Sequence, residues 1–142
     1  MKTPGYAGSI LMLDLSSREV SELPTSDYAS FCGGRGLAAK LYWDGLRPEA
    51  DAADPGNLLV FATGPLAGVP VIGGSRWQVS GKSPTTTPHH FSYCNLGGTW
   101  GASLKFSGYD ALAVRGGADK PVYVSITDDG VTIKDASHLW GK

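Results

Sequence analysis

Glycine falls in pairs along this chain, at Gly33-Gly34, Gly73-Gly74, Gly97-Gly98 and Gly116-Gly117, with short patterned runs between the pairs. The 20 glycines among 142 residues are about twice the usual share of roughly 7%. Spread between patterned segments instead of gathered in one tract, they argue against disorder and for a site built from loops. The length is that of one ordinary domain with a real core.

The runs read as short elements. Residues 8–15 (GSILMLDL) form a predicted strand that pairs with residues 19–23 across Ser16-Ser17-Arg18. Ser26 or Asp27 is placed to cap a short turn through Phe31. After the break at Gly33-Gly34, the residues Leu37, Ala38, Leu41 and Tyr42 set an apolar stripe at helical spacing, a core-packing pattern that ends at Gly45. Residues 47–57 (RPEADAADPGN) read as a surface connection, and residues 58–63 (LLVFAT) as a buried strand stopped by Gly64-Pro65. Residues 76–80 (RWQVS) and 90–94 (HFSYC) alternate like half-buried strands joined by a loop over 81–88. A helical turn over 100–106 follows, then strands over 111–115 and 122–127, and a hairpin through Asp129-Gly130 into 131–134. Strands that arrive mostly as hairpins, with a few helical segments, predict an α+β fold with antiparallel or mixed sheets, not a parallel βαβ array.

Several function classes are disfavoured. Twelve basic side chains against 13 acidic ones give a net charge of −1, so no field points to nucleic acid or to an anionic membrane. No apolar run reaches the roughly 18 residues of a membrane span, and Met1-Lys2-Thr3-Pro4-Gly5 leads into no signal-peptide core, so a cytoplasmic location is expected. Cys32 and Cys94 are too few for a disulfide framework or a four-thiolate site and are expected to be buried thiols.

Gly34-Arg35-Gly36-Leu37-Ala38-Ala39 satisfies the dinucleotide pattern G-x-G-x-x-A. That pattern requires a preceding strand and an acid at the end of the next one. Here the preceding segment reads as helical, and Asp51 and Asp54 lie in a proline-rich loop, so Rossmann binding is disfavoured. His89-His90 on a strand would point to opposite faces and seldom chelate one ion. His138 reads as a first-turn or capping residue. Cys94 has no basic activator beside it, and no catalytic residue is assigned within this chain.

The stretch over 73–101 (GGSRWQVSGKSPTTTPHHFSYCNLGGTWG) has a glycine pair near each end, one arginine and one lysine between them, and hardly any acidic side chain. Backbone without Cβ atoms can come close to a ligand, and exposed N–H groups beside Lys or Arg make an anion-binding concavity. Arg76, directly after Gly73-Gly74-Ser75, stands at the start of a predicted strand. Its planar charged fork suits an anionic ligand, and a solvated edge position is the alternative.

At these residues the chain resembles the N-terminal domain of the aldehyde ferredoxin oxidoreductase family, the tungsten enzymes with a bis-pyranopterin beside a [4Fe–4S] cluster. The resemblance is carried by GGRGLA (33–38), PGNLLVFATGPL (55–66), residues 73–84, NLGG (95–98), LKFSGYD (104–110) and DASHLWGK (135–142). Residues 85–93 (TTTPHHFSY) depart from the commonest family pattern. The resemblance implies a sheet-built base on which the tungstopterin lies. It also implies that Arg76 sits between pterin and cluster, and that the Asn95 backbone carbonyl binds the Mg²⁺ joining the two pterin phosphates. Leu96, Gly97 and Gly98 would then continue the pterin-contacting loop. By the same resemblance, residues 1–142 are a single pterin-base domain cut short at its C-terminal side, and the helical iron–sulfur domains lie elsewhere in the polypeptide. The implied activity is oxidation of aldehydes to carboxylic acids, with electrons passing through the cluster to ferredoxin or a similar acceptor. Homo-oligomerisation through an exposed apolar face is a further expectation. The alternatives are an aromatic acyl-CoA reductase subunit, a hydroxy-acid oxidoreductase of the same superfamily, and a non-catalytic ligand-binding module. Leu41-Tyr42-Trp43-Asp44 and Gly98-Thr99-Trp100 resemble the reductases at least as well.

Overall fold

The computed structural model describes residues 4–70 and 72–142. Met1 to Thr3, part of the stretch searched for a leader, lie outside the described residues.

The first hairpin pairs β1 (Ser9–Asp14) with β2 (Glu19–Pro24), antiparallel and in the register Leu11 opposite Glu22. A 3-10 helix over Thr25–Phe31 follows, and then α1 (Gly34–Gly45). The expected cap at Ser26 or Asp27 does not form. The helix starts one residue earlier, after Pro24 and without a side-chain cap, because Thr25 is drawn inward to hydrogen-bond Asp110. The Ser26 hydroxyl donates instead to its neighbour Asp27.

Six strands and a helix follow: β3 (Leu59–Thr63), β4 (Trp77–Ser83), β5 (His90–Leu96), α2 (Trp100–Phe106), β6 (Tyr109–Arg115), β7 (Val122–Thr127) and β8 (Gly130–Asp135). Among the described residues, eight strands therefore form where six or seven were expected, since each run yields a strand and each hairpin closes. The main sheet has the order β2-β1-β6-β3-β4-β5, with β1 and β6 parallel and the other neighbours antiparallel. The pair β7-β8 forms a second, two-stranded sheet. The α+β class with mixed sheets stands.

Side-chain alternation divides the main sheet into two faces. On one, Ile10, Val60, Ala62, Ala111 and Ala113 meet Leu37, Ala38, Leu41 and Tyr42 of α1, the stripe read from the sequence. On the other, Leu11, Leu13 and Leu112 meet Leu104 of α2, with Val124, Ile126 and Val131 of the small hairpin against them. The central strands are the buried ones, while β2 and β5 are exposed edges. For β5 this corrects the half-buried expectation, because α1 and α2 cover the middle of the sheet, and α1 touches the outer strand only at its edge, through Tyr42 to Phe91 and Arg35 to Tyr93.

The dinucleotide-like motif turns out to be packing. Gly33 has φ 66° and is buried, and a Cβ there would lie 2.9 Å from the carbonyl oxygen of Thr63. A Cβ on Gly36 would come 2.2 Å from the carbonyl oxygen of Phe31. The glycines let the 3-10 helix, α1 and the end of β3 touch backbone to backbone, with no strand before the motif.

Candidate functional site

The β4–β5 ladder assembles the residues singled out in the sequence. Its register sets Trp77 opposite Leu96 and Gln78 opposite Asn95, so the start of β4 and the end of β5 lie side by side. Arg76 immediately precedes the first, and Gly97-Gly98 immediately follow the second. Arg76, Asn95, Leu96, Gly97 and Gly98 therefore stand at one end of one ladder. Arg76 itself lies just before the strand instead of within it.

Beyond this end one glycine of the front pair, Gly74, and one of the rear pair, Gly98, face a shared groove of about 210 Å³. Gly74 and Ser75 line one side and Gly98 and Thr99 the other, with Gly68, Val69, Ala102 and Phe106 closing it. A Cβ placed on Gly73, Gly97 or Gly98 would meet no atom within 4 Å, so the open space begins at the backbone itself. Gly98 has φ 85° and Gly73 the same value, conformations in which an L side chain is strained. Gly97 lies outside that region.

Charge in this part of the molecule is one-sided. No Asp or Glu occurs from Pro55 to Tyr109, whereas Arg76, Lys82 and Lys105 do. Lys82 donates to the carbonyls of Pro48 and Ala50, and Lys105 pairs with Asp110 at 2.8 Å. Among the described residues Arg76 is exposed and has no ion pair or side-chain hydrogen bond, so it is the cation left over beside the groove.

The groove's supports come from residues the sequence reading passed over. The Trp77 indole Nε1–H donates to the Gly97 carbonyl over 2.9 Å, and the ring packs against Trp100 with 4.3 Å between centroids. Lys105 Nζ donates to the Gly64 carbonyl at 3.1 Å, and the Phe106 ring presses on Gly68, which together brace the wall over residues 64–69. Asp110 is fully buried. Burial alone would raise its pKa, but the Gly8 N–H, the Lys105 ammonium, the Ala7 N–H and the Thr25 hydroxyl together outweigh that effect and hold it below the usual carboxylate value. One signal was available: Asp110 is a lone acid opening an apolar strand, which calls for a buried partner.

The remaining candidates disperse. Cys32 and Cys94 are both exposed, not buried. Cys32 occupies a left-handed turn between two helices, and Cys94 sits on edge strand β5. His89 Nδ1 accepts the Ala52 N–H at 3.2 Å and lies near Asp51, His90 is exposed, and His138 sits in a 3-10 turn over Ser137–Leu139. No cluster of three or more His, Cys, Asp or Glu among the described residues could hold a metal ion. No helix among them is long and apolar enough to cross a membrane.

A mixed sheet with a helix on each face, carrying at one end a groove lined by Gly68, Gly74 and Gly98, defines an α+β domain without a Rossmann crossover. Comparison with known proteins gives the family. The pattern described as "Aldehyde ferredoxin oxidoreductase, N-terminal domain" matches residues 10–142. The tungsten-containing aldehyde ferredoxin oxidoreductase of Thermococcus kodakarensis is 44% identical over 140 residues, covering 97% of this chain and 23% of that protein. A WOR-like subunit of an aliphatic sulfonate oxidoreductase of Pyrococcus furiosus is 37% identical, covering 96% of this chain and 22% of that protein. Among solved structures, the active-site complex BamBC of benzoyl coenzyme A reductase, in complex with 1,5-dienoyl-CoA, superposes with a TM-score of 0.89 at 38% identity, covering 97% of this chain and 21% of that one. This chain belongs to the aldehyde ferredoxin oxidoreductase family and corresponds to its N-terminal domain. It spans under a quarter of the length of these relatives.

Proposed function

We propose that this domain is the pterin-bearing base of a tungsten-dependent oxidoreductase that oxidises aldehydes to carboxylic acids. One observation carries the reading: Gly74 and Gly98, one from each of two glycine pairs distant in sequence, line a single groove, and the unpartnered Arg76 of an acid-free segment follows directly on its Gly74-Ser75 side. The residues fit such a group. A flat ring system needs backbone approach without Cβ atoms, which Gly97 and Gly98 provide, and an anionic one needs a cation that is not already paired, which Arg76 provides.

In this reading the bound tungsten bis-pyranopterin supplies the two-electron redox chemistry, and the protein positions and tunes it. The metal would be held by the cofactor's own sulfurs, leaving the residues of this domain to bind and orient the pterin. Arg76 would supply a positive charge between the pterin and a [4Fe–4S] cluster held by the rest of the polypeptide. The Asn95 backbone carbonyl offers an oxygen to Mg²⁺, while its side-chain oxygen accepts from Gln78 Nε2 at 2.8 Å, which orients the residue. Leu96, Gly97 and Gly98 form the contacting loop. The overall reaction this base would serve, an aldehyde and water giving a carboxylic acid, two protons and two electrons, would need an electron acceptor such as ferredoxin.

A second reading, an aromatic acyl-CoA reductase subunit, is favoured by the high structural similarity to the benzoyl coenzyme A reductase complex. Purified full-length protein decides between them. The expected result is tungsten and pterin at stoichiometric level and aldehyde-dependent reduction of ferredoxin. Activity with a dienoyl-CoA as electron donor and none with aldehydes would select the reductase. Absence of both pterin and metal would reduce the domain to a non-catalytic binding module.

A further inference from the structure

Trp77 links the two walls of the groove from behind. Its backbone follows Arg76 directly after Gly74-Ser75, the first wall, and its indole Nε1–H donates over 2.9 Å to the carbonyl of Gly97, the residue just before Gly98-Thr99, the second. The ring is held in turn. Trp100 lies 4.3 Å away and Phe61 6.3 Å away, centroid to centroid. A Cβ on Gly101 would come 3.0 Å from Trp77 Cβ and 3.1 Å from Cδ1, so α2 rests on the indole with no space between. The glycine pair has no side chains with which to brace its own loop, and unbraced glycine backbone is the most costly to order. An indole N–H is a donor only, so it can fix a carbonyl without competing as an acceptor for the loop's N–H groups.

We propose that Trp77 is a positioning residue for the ligand-contacting loop: its N–H fixes the Gly97 carbonyl and thereby sets the spacing between the two glycine walls. The identity of the ligand as a pterin rests on the reading above, whereas the positioning itself does not.

The test uses the full-length protein in four forms: wild type, Trp77→Phe, Gly101→Ala and Leu41→Ala. Trp77→Phe keeps an aromatic ring and removes the donor. Gly101→Ala keeps the donor and presses a methyl group against the ring. Leu41→Ala damages the core under α1, away from the groove. Amide hydrogen exchange over residues 96–100, pterin content per folded chain and melting temperature are measured for each. Trp77→Phe is expected to speed exchange in that segment by about fivefold to tenfold, the effect of one lost hydrogen bond, and to lower pterin content. Its melting temperature should fall less than that of Leu41→Ala. Leu41→Ala should lower the melting temperature while leaving local exchange and pterin content as in wild type. Unchanged exchange and pterin content in Trp77→Phe, or a profile matching that of Leu41→Ala, would overturn the proposal. If Trp77→Phe does not fold, Gly101→Ala decides by the same criteria. Should the wild type carry no pterin, the pterin reading fails, and the exchange contrast alone upholds or overturns the positioning role.

Discussion

Arg76 and the glycines of the 97–98 loop carry the sharpest consequences at the scale of single residues. If Arg76 compensates buried anionic charge once the ligand is bound, its removal costs about 3–5 kcal/mol of that interaction. Arg76→Ala in the full-length protein should therefore lose cofactor or, where it is retained, lower the cluster's reduction potential, since a nearby positive charge favours the reduced state. Arg76→Lys should fall between the two, keeping the charge and losing the planar fork. Redox titration with tungsten analysis checks both. The two glycines separate space from strain. Gly97 has no left-handed φ and open space where a Cβ would be, so Gly97→Val should change stability by less than about 0.5 kcal/mol while abolishing pterin incorporation. Gly98→Val, at φ 85°, should add backbone strain of about 1–3 kcal/mol to the same loss. Chemical denaturation and pterin content distinguish the pair, and wild-type pterin content in Gly97→Val would remove the ligand from this loop.

Among the elements, α1 stakes most on burial. Its stripe lies against the sheet with Leu37 and Ala38 fully buried and Leu41 nearly so. Leu41→Ala leaves a cavity against Val60 and Ala62, and a loss of about 2–5 kcal/mol is expected from urea unfolding of the domain. On the outer face of the same helix Trp43 is 73% exposed, so Trp43→Ala should cost far less in the same assay. β5 shows the opposite balance. Its aromatic residues Phe91 and Tyr93 are held by single partners, Phe91 by the Tyr42 ring and Tyr93 by Arg35, whose guanidinium donates to the hydroxyl at 2.8 Å.

Across the whole molecule Asp110 ties separate parts of the chain together. Its carboxylate receives the N-terminal segment through Ala7 and Gly8, the first 3-10 helix through Thr25 and α2 through Lys105, while its backbone carbonyl accepts the Thr63 hydroxyl from β3. Because its folded pKa lies below the unfolded value, it contributes stability that is fully present above about pH 4 and lost as pH falls through the folded pKa. Asp14, held down by the Ser17 N–H, the Arg115 side chain and the Ser16 N–H against a smaller opposing effect of burial, acts in the same direction. Asp110→Asn strands the Lys105 ammonium, and about 3–5 kcal/mol should be lost at neutral pH. The difference between wild type and variant should then shrink on acidification below about pH 4. A pH series of denaturation curves measures this, and a difference that stays constant down to pH 2 or so would assign the stabilisation to shape instead of charge.

Periodicity and turn chemistry are local properties, and they were enough to place nearly every element. The stripe Leu37-Ala38-Leu41-Tyr42, the stop at Gly64-Pro65 and the hairpin at Asp129-Gly130 all act within a few residues of themselves. The glycine pairs, the lone Arg76 and the family pattern likewise marked the candidate site in advance. What the sequence could not decide is whatever joins distant segments. The insertion of β6 between β1 and β3 pairs Leu11 with Leu112, about a hundred positions apart, and no local signal encodes that register. Exposure of Cys94 followed from which strand became the edge, and that of Cys32 from the left-handed turn between the two helices. The roles of Trp77, Lys105 and Asp110 depend on carbonyls and N–H groups brought beside them only when the chain has closed. Tertiary structure alone decided these, because a buried donor or acceptor is satisfied by whatever backbone folding delivers to it, and that partner is named in space, not in sequence.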